Sequence, residues 1–508
     1  MKDVNTRSHR TECKFNIILV ILDALRAAEF YHSGGRRLKT PFLDRLSKSS
    51  WVYTKAIAPS TWTLPSCASI FTGLFPRGHR LNFANSNLKS RTLTFAELMN
   101  RNGYITISFS ANPLISYKNG LAKGFNELYS FCDPPIEEQL PFKNNDVIDV
   151  KKLRLPQNNV LNTFSYIFNM AKSEGNFLKN LINLGVYYGK SLGLFRRDKG
   201  AAKIKDAITS WIELWQNSGR DQPFFLYVHL METHEMYLPF ISYNVLHSIL
   251  NIHKTVKYFK NVRITHFTSR NLVEQYYFEE DVVKYLRELY KREIEYLDSQ
   301  LNLLYKFLKS HGLEKETIFI ITSDHGQQLY EHGALGHAMR FYNVNLHVPL
   351  IVKLPTEDFK TIDKFVSLKD LPKTIADYLG FGDRFPGYSF LPDKITQYPQ
   401  YVISETIADP VFDMMLRSQD IVNELYGLDK EIIRKNMYGG MSVYHNKHHY
   451  ILLTNGKIEV YNFENDYNEN KNLFPKKVKE LPKSIQRVIE EEFLRLRIAN
   501  ALRKGLKR

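Results

Sequence analysis

Three short stretches of almost uninterrupted apolar residues constrain the fold of this chain most strongly. They are Phe15–Leu22, Pro223–His229 and Thr317–Thr322, and each is rich in β-branched or aromatic residues. Runs of this length and composition are typical of strands that are buried on both faces, as in a parallel sheet. The chain is therefore predicted to be an α/β protein with a large mixed, mainly parallel sheet sandwiched by helices.

Polar residues follow each of these predicted strands. Asp23 follows the first strand directly, His234 comes shortly after the second, and Ser323–Gly326 follows the third. The carboxyl ends of parallel strands meet at one edge of a sheet, which is where α/β proteins bind ligands. Because carboxylates and imidazoles are metal ligands, Asp23, Asp324 and His325 together suggest a catalytic metal site. Simpler interpretations remain, since Asp23 could merely start a helix and His234 could be a surface residue.

The stretch Ser60–Pro76 contains a threonine two places before a proline. Pro65 suits the first position of a helix, and Ser66–Thr72 can form one short helix that is stopped by Gly73. Thr63 would then lie beside the free N–H groups at the positive end of the helix, a place that binds phosphate or sulfate. The simpler interpretation is that Thr63 only caps the helix.

Composition and charge limit the class of protein. The chain has 508 residues, of which 44% are hydrophobic and 24% charged, as in a globular protein with more than one structural unit. Its three cysteines are too few for a disulfide framework. The net charge of +16 favours anionic partners, and the sequence carries no nucleic-acid motif. No stretch has the pattern of a membrane span or a signal peptide, so a soluble, cytoplasmic protein is predicted.

Patterns in the second half of the chain predict further elements. Apolar residues recur every three or four places from Leu286 to Leu308, which predicts a long helix packed on the sheet. Asn455 and Gly456 separate two strand-like runs, Tyr450–Thr454 and Lys457–Tyr461, and this is a strong hairpin signal.

A basic amphipathic helix is predicted from about Pro482 to Arg503. Its charges form a solvated face, or alternatively make a weak contact with an anionic surface. The predicted domains are a catalytic α/β domain over residues 1–395, with a helical and loop insertion at 132–221, and a C-terminal α+β subdomain over residues 396–508.

The chain resembles the sulfatases, within the alkaline phosphatase superfamily, through several motifs in register. They are the opening strand with Asp23–Arg26, Thr63–Ser66 with Phe71–Pro76, Ser323–Gly326 with His332 and His337, His347–Val352, and Glu459–Asp466 with Asn472 and Leu473. Their order and spacing match the family over nearly the whole chain. The resemblance implies an alkaline phosphatase-like α/β domain followed by a small antiparallel sheet with a helix.

Carried over residue by residue, the resemblance implies a metal centre with a hydroxyl nucleophile. Asp23, Asp324 and His325 would bind one divalent metal ion. Thr63 holds the nucleophile position and would touch the same ion, which lowers the pKa of its hydroxyl so that it can attack sulfur or phosphorus.

The resemblance also implies roles for residues around the transferred group. His234 and His337 match positions that contact the oxygens of that group or protonate the leaving oxygen. Arg26 would support the metal loop and is a candidate for substrate binding. His332 is a further candidate for substrate binding.

Three departures from the family pattern matter. Sulfatases that mature to formylglycine need Cys or Ser followed by x-Pro-x-Arg, whereas Thr63 and Cys67 hold these places here, so that maturation is not expected. Cys67 is itself a poor nucleophile candidate, because no proline follows at the required offset. Ala24 replaces the second of two acids common in the family, which favours manganese, zinc or magnesium over calcium. Threonine as the nucleophile resembles the phosphodiesterase and the phosphoglycerol- or phosphoethanolamine-transferase branches.

The sequence therefore predicts a metal-dependent hydrolase that cleaves sulfate or phosphate esters through Thr63. Its partner would be an anionic ester substrate. Phosphate esters, in particular diesters, are expected to react at least as well as sulfate esters, because a threonine sulfate must be hydrolysed by attack at sulfur. The alternatives are a phosphoglycerol- or phosphoethanolamine-type transferase and a non-catalytic binding module that keeps the fold.

Overall fold

The computed structural model of this protein centres on an eight-stranded sheet. It describes residues 15–31, 38–81, 87–132, 198–219, 221–235, 237, 279–337, 340–356, 358–407, 439–474, 483, 486–487 and 490–494. In chain order the described strands are β1 (Asn16–Leu22), β2 (Trp51–Ile57), β3 (Ile105–Ser110), β4 (Glu127–Ser130), β5 (Phe224–Leu230), β6 (Thr317–Thr322), β7 (Gln328–Leu329), β8 (Leu335–Gly336), β9 (His347–Lys353), β10 (Lys360–Ser367), β11 (Tyr401–Thr406), β12 (Gly440–His445), β13 (His448–Leu453) and β14 (Ile458–Asn462). The described α-helices are α1 (Ala28–Tyr31), α2 (Pro41–Ser47), α3 (Thr63–Thr72), α4 (Pro76–His79), α5 (Phe95–Arg101), α6 (Ala201–Asn217), α7 (Glu280–Ser310), α8 (Asn343–Leu346) and α9 (Leu371–Tyr378).

The large sheet is mixed and mainly parallel, as the sequence predicts. Its strand order is β10-β2-β9-β6-β1-β5-β3-β4, and β9 is antiparallel to both of its neighbours while the other adjacent strands are parallel. The three apolar runs of the sequence form the neighbouring strands β6, β1 and β5. Ile17 of β1 lies between Phe225 of β5 and Ile318 of β6. The carboxyl ends of these strands therefore lie side by side.

Helices cover both faces of this sheet because side chains alternate along its buried strands. Ile17 and Ile21 join one apolar core with residues of α3, α5 and α9. Ile18 and Val20 join a second core on the other face with residues of α2, α6 and α7. The long helix predicted from Leu286 to Leu308 is confirmed as part of α7.

A separate four-stranded antiparallel sheet, in the order β11-β12-β13-β14, forms towards the C-terminus. The predicted hairpin is confirmed, since β13 and β14 pair from His448 with Asn462 to Leu452 with Ile458. Gly456 in its turn has a φ of 94°, a backbone conformation that favours glycine.

Some sequence predictions fall on residues outside the described ones. Most of the predicted insertion, residues 133–197, and most of the predicted basic helix lie there. Within the insertion, the described α6 places Ile204 and Ile208 in the core beside α7. The division of the chain at residue 395 and the contact with an anionic surface stay predictions. Across the described helices, none is both long and apolar enough to cross a membrane, and the cellular location also stays a prediction.

Candidate active site

Asp23, Asp324 and His325 converge at the carboxyl edge of the large sheet. Asp23 follows β1 directly, and the other two residues follow β6, the strand beside it. One ligand atom from each residue lies within 4.8 Å of the other two, and all three side chains are buried. His325 Nε2 lies 3.6 Å from Asp23 Oδ1 and 3.5 Å from Asp324 Oδ2. The structure thus forms the possible metal-binding site that the sequence predicts.

The surroundings of Asp23 fit a metal ligand. Its Oδ2 accepts hydrogen bonds from Asn112 Nδ2 at 2.7 Å and from His229 Nε2 at 2.9 Å. Its Oδ1 is buried and has no hydrogen-bond partner, which is costly for a carboxylate oxygen. A cation beside Oδ1 would remove that cost, so the donor set suits a divalent metal ion.

The two carboxyl groups of this site have opposite pKa shifts. Burial alone would raise the pKa of Asp23, but His234, His229 and His325 outweigh it and hold the pKa well below its usual range. Burial and the charge of Asp23 raise the pKa of Asp324. Two buried carboxylates this close repel each other, and a bound cation relieves such repulsion.

A strained turn at Ala24 aims a backbone donor at the second carboxylate. Ala24 has a φ of 62°, in the left-handed region that is uncommon for residues other than glycine. Its N–H donates to Asp324 Oδ1 at 3.3 Å, and the N–H of His325 donates to the same oxygen at 3.0 Å. Asp324 Oδ2 is therefore the carboxylate oxygen that faces His325 Nε2.

The tautomer of His325 leaves its Nε2 able to bind a metal ion or accept a hydrogen bond. Its Nδ1 donates to the carbonyl of Gly326 at 2.8 Å, so the neutral ring carries its lone pair on Nε2. Thr63 Oγ1 lies 3.2 Å from that nitrogen and donates its hydroxyl proton to it. The threonine that the sequence singles out is thus within hydrogen-bond distance of His325, one of the predicted metal ligands.

The cap interpretation of Thr63 is wrong. Thr63 is the first residue of α3, the flanking residue is Trp62, and no side chain caps this helix end. The helix therefore begins two residues earlier than predicted, and Pro65 lies inside its first turn, where N–H groups lack helical partners. Its end at Gly73 is as predicted, with a φ of 69°. The Thr63 hydroxyl therefore faces His325 and does not cap the helix.

Two more predicted histidines line the site. The ring of His337 lies 4.3 Å from that of His325 and 5.0 Å from that of His234, measured between centroids. Burial and the neighbouring His325 lower the pKa of His337 well below its usual value. His337 Nδ1 donates to Gln327 Oε1 at 2.7 Å, and His234 Nδ1 donates to the carbonyl of Glu235 at 2.7 Å.

Arg26 and His332 are the two predicted residues whose side chains bind elsewhere in the structure. The guanidinium of Arg26 is buried and donates to Glu29 and Glu331. The ring of His332 stacks on Tyr342 with centroids 3.8 Å apart. These contacts fit the support of the loop that the sequence suggests for Arg26, while substrate binding by either residue stays a prediction.

Sequence reasoning missed Asn112 and His229, which both donate to Asp23 Oδ2. A signal for each was available. His229 is a polar residue at the end of an otherwise apolar buried run, and Asn112 follows the end of β3 at the same edge of the sheet. His229 Nδ1 in turn accepts from the hydroxyl of Tyr227 at 2.7 Å, which fixes its tautomer.

Several known proteins resemble this chain in sequence. The sequence model of the family described as Sulfatase matches residues 15–381. Arylsulfatase K of the dog, Canis lupus familiaris, is 24% identical over 397 residues, which are 74% of this chain and 66% of that protein. Human iduronate 2-sulfatase is 24% identical over 371 residues, 69% of this chain and 61% of that protein. The chain thus spans about two thirds of the length of these relatives.

Solved structures share the fold. The phosphonate monoester hydrolase of Agrobacterium radiobacter superposes with a TM-score of 0.61 at 17% sequence identity. The superposition covers 96% of this chain and 96% of that one. The fold is therefore shared with that protein over nearly the whole length of both chains.

Proposed function

The chain belongs to the sulfatase family, and from that membership we propose that it is a metal-dependent ester hydrolase with Thr63 as its nucleophile. One observation carries the proposal. Thr63 Oγ1 lies 3.2 Å from His325 Nε2, inside a buried group of metal-ligand atoms contributed by Asp23, Asp324 and His325. A non-catalytic descendant would have no need to retain a nucleophile and ligands in such close contact.

Asp23, Asp324 and His325 would hold the divalent metal ion. When bound, the ion would supply positive charge that lowers the pKa of the Thr63 hydroxyl and stabilises negative charge on the transferred group. Ala24 and the missing second acid favour manganese, zinc or magnesium over calcium, which prefers more oxygen ligands.

The remaining residues of the site would act on the substrate directly. Thr63 lies at the N-terminus of α3, which carries the positive end of the helix dipole, and such helix ends bind anionic groups. Thr63 Oγ1 would form a bond to phosphorus or sulfur as the ester oxygen leaves. His234 would contact the oxygens of the transferred group, and the ring of His337 lies beside it, with centroids 5.0 Å apart.

Phosphate esters, and diesters above all, are the proposed substrates. A formylglycine hydrate can release its sulfate by breaking its own C–O bond, whereas threonine cannot. A group held on Thr63 must therefore leave through attack by water or an alcohol at the central atom, which is feasible at phosphorus. The phosphonate monoester hydrolase with the same fold acts on a related phosphorus ester, as its name states.

The test is a comparison of kcat/KM on matched aryl sulfate, phosphate monoester and phosphodiester substrates, together with metal content and intact mass. We expect the intact mass to show unmodified Thr63 and the wild type to bind one metal ion. Asp324→Asn should lose both this ion and activity, and Thr63→Ala should show no turnover. The alanine variant should fold, because the side chain caps no helix and loses a single hydrogen bond worth about 1 kcal/mol. Wild-type rates in Thr63→Ala would overturn the proposal. A preference for sulfate by a factor of ~10, or about 1.4 kcal/mol in barrier, would overturn the choice of phosphorus.

A further inference from the structure

The Glu235–Gln327 pair and His337 form a hydrogen-bonded chain at the edge of the site. We propose that Glu235 and Gln327 are positioning residues that orient His337 to accept a proton from the water that releases the group from Thr63. This inference rests on the proposed function, because it concerns the second half of that reaction.

The chain of hydrogen bonds determines the tautomer of His337. Gln327 is buried, and its Nε2 donates to a carboxylate oxygen of Glu235. A carboxylate only accepts, so the amide of Gln327 must turn its Oε1 towards His337. His337 Nδ1 donates to that oxygen at 2.7 Å, and the lone pair of the neutral ring therefore lies on Nε2.

The position of His337 suits a base for the second step. Its ring packs against His325, and His325 Nε2 is 3.2 Å from Thr63 Oγ1. A group carried on Thr63 would thus lie beside the His337 ring. His325 cannot serve this purpose as well, because its own Nε2 is directed at the metal-ligand cluster.

The second step moves one proton from water to Thr63 by way of His337. The water oxygen forms a bond to phosphorus while one of its protons moves to His337 Nε2. The bond between phosphorus and Thr63 Oγ1 breaks, and its electron pair stays on Oγ1. The proton then returns to Oγ1, so the products are a Thr63 hydroxyl, neutral His337 and the free phosphate ester.

The Gln327→Met variant tests this inference, with bis(4-nitrophenyl) phosphate as the probe. Methionine keeps the length of the side chain but removes both hydrogen bonds. We expect the first release of 4-nitrophenol to keep the wild-type rate constant, the steady-state kcat to fall roughly 10²-fold, and a 4-nitrophenyl phosphoryl adduct to accumulate on Thr63. Acid quench, intact mass and peptide mapping detect the adduct.

Gln328→Met is the matched control. Gln328 is also buried, but its amide donates to the carbonyl of Glu331 at 2.9 Å, outside the hydrogen-bonded chain from Glu235 to His337. This variant should accumulate no more adduct than the wild type. Equal slowing of both steps in Gln327→Met, or the same adduct in both variants, would overturn the inference.

Variants of Glu235 keep the inference testable if Gln327→Met does not fold. Glu235→Gln retains an acceptor oxygen for Gln327 and should release the adduct at close to the wild-type rate, whereas Glu235→Leu should accumulate it. Identical behaviour of these two variants would refute the positioning role. If Thr63→Ala keeps its turnover, the proposed function itself fails. If Thr63→Ala is inactive but neither Gln327→Met nor Glu235→Leu accumulates the adduct, only the positioning role fails.

Discussion

Replacing Arg26 by methionine distinguishes an arginine that holds the site together from one that contacts substrate. Its Nε donates to Glu29 Oε1 at 2.8 Å and its Nη1 donates to Glu331 Oε1 at 2.8 Å. The side chains of Arg26, Glu29 and Glu331 are only 7%, 5% and 15% exposed, so the variant leaves two acids without their buried cation. Breaking such a pair costs about 3–5 kcal/mol. We expect the lower end, since Arg287 and the N–H of Leu329 still contact Glu331.

Arg287→Met is the control for this experiment. The Arg287 side chain is 44% exposed and its Nη2 lies 3.4 Å from the same Glu331 oxygen. Exposed ion pairs contribute about 0–1 kcal/mol, so this variant should unfold at nearly the wild-type urea concentration. The two variants thus compare a buried arginine that pairs with two acids with a half-exposed arginine that pairs with Glu331 and the carbonyl of Leu329.

The pH dependence supplies a second measurement. Burial raises the pKa of Glu331, but Arg26 and Arg287 lower it more, so its pKa in the folded protein lies below 4.5. A lowered pKa contributes stability above the unfolded value and loses it as the pH falls through the folded pKa. In Arg26→Met the arginine charge no longer compensates for the burial of the Glu331 carboxylate, so the pKa of Glu331 should rise. The loss of stability relative to the wild type should therefore be largest near neutral pH and become smaller towards pH 4.5.

Urea unfolding of wild type and both variants at neutral pH and near pH 4.5 checks these expectations, with KM measured alongside. A stable Arg26→Met with a raised KM would refute the supporting role and favour substrate binding. A stability loss that is equal at both pH values would refute the assignment of the effect to Glu331.

Two further predictions concern the metal site. Asn112→Leu removes a donor to Asp23 and should weaken metal binding roughly 10- to 100-fold, measured by chelator competition; an unchanged affinity would contradict its role. Gly326→Ala should lose bound metal and thermal stability together, because its Cβ would lie 2.1 Å from the carbonyl oxygen of Val344 and displace the adjacent His325. A variant that keeps its full metal content would show that the loop can move to accommodate the Cβ without displacing His325.

Much of the fold follows from local patterns in the sequence. The apolar runs predict β1, β5 and β6, the spacing of leucines predicts the core face of α7, and Asn455–Gly456 predicts the turn between β13 and β14. These predictions succeed because each feature requires particular residue types close together in the sequence. Strands buried on both faces need apolar runs, helices need apolar residues every three or four places, and tight turns need residues such as Asn and Gly. The sequence pattern places the start of α3 two residues too late, since helix ends depend on weaker signals.

Local sequence patterns suffice to predict which chemical groups reach the edge of the sheet, because Asp23, Thr63 and the Asp324–His325 pair lie at the ends of recognisable elements. The orientation of these groups depends on tertiary structure. Asn112 and His229 select which oxygen of Asp23 remains without a partner, although they lie 89 and 206 residues away from it along the chain. Hydrogen bonds between such distant residues are set by which strands are neighbours and by their register, and a local sequence pattern carries no record of either.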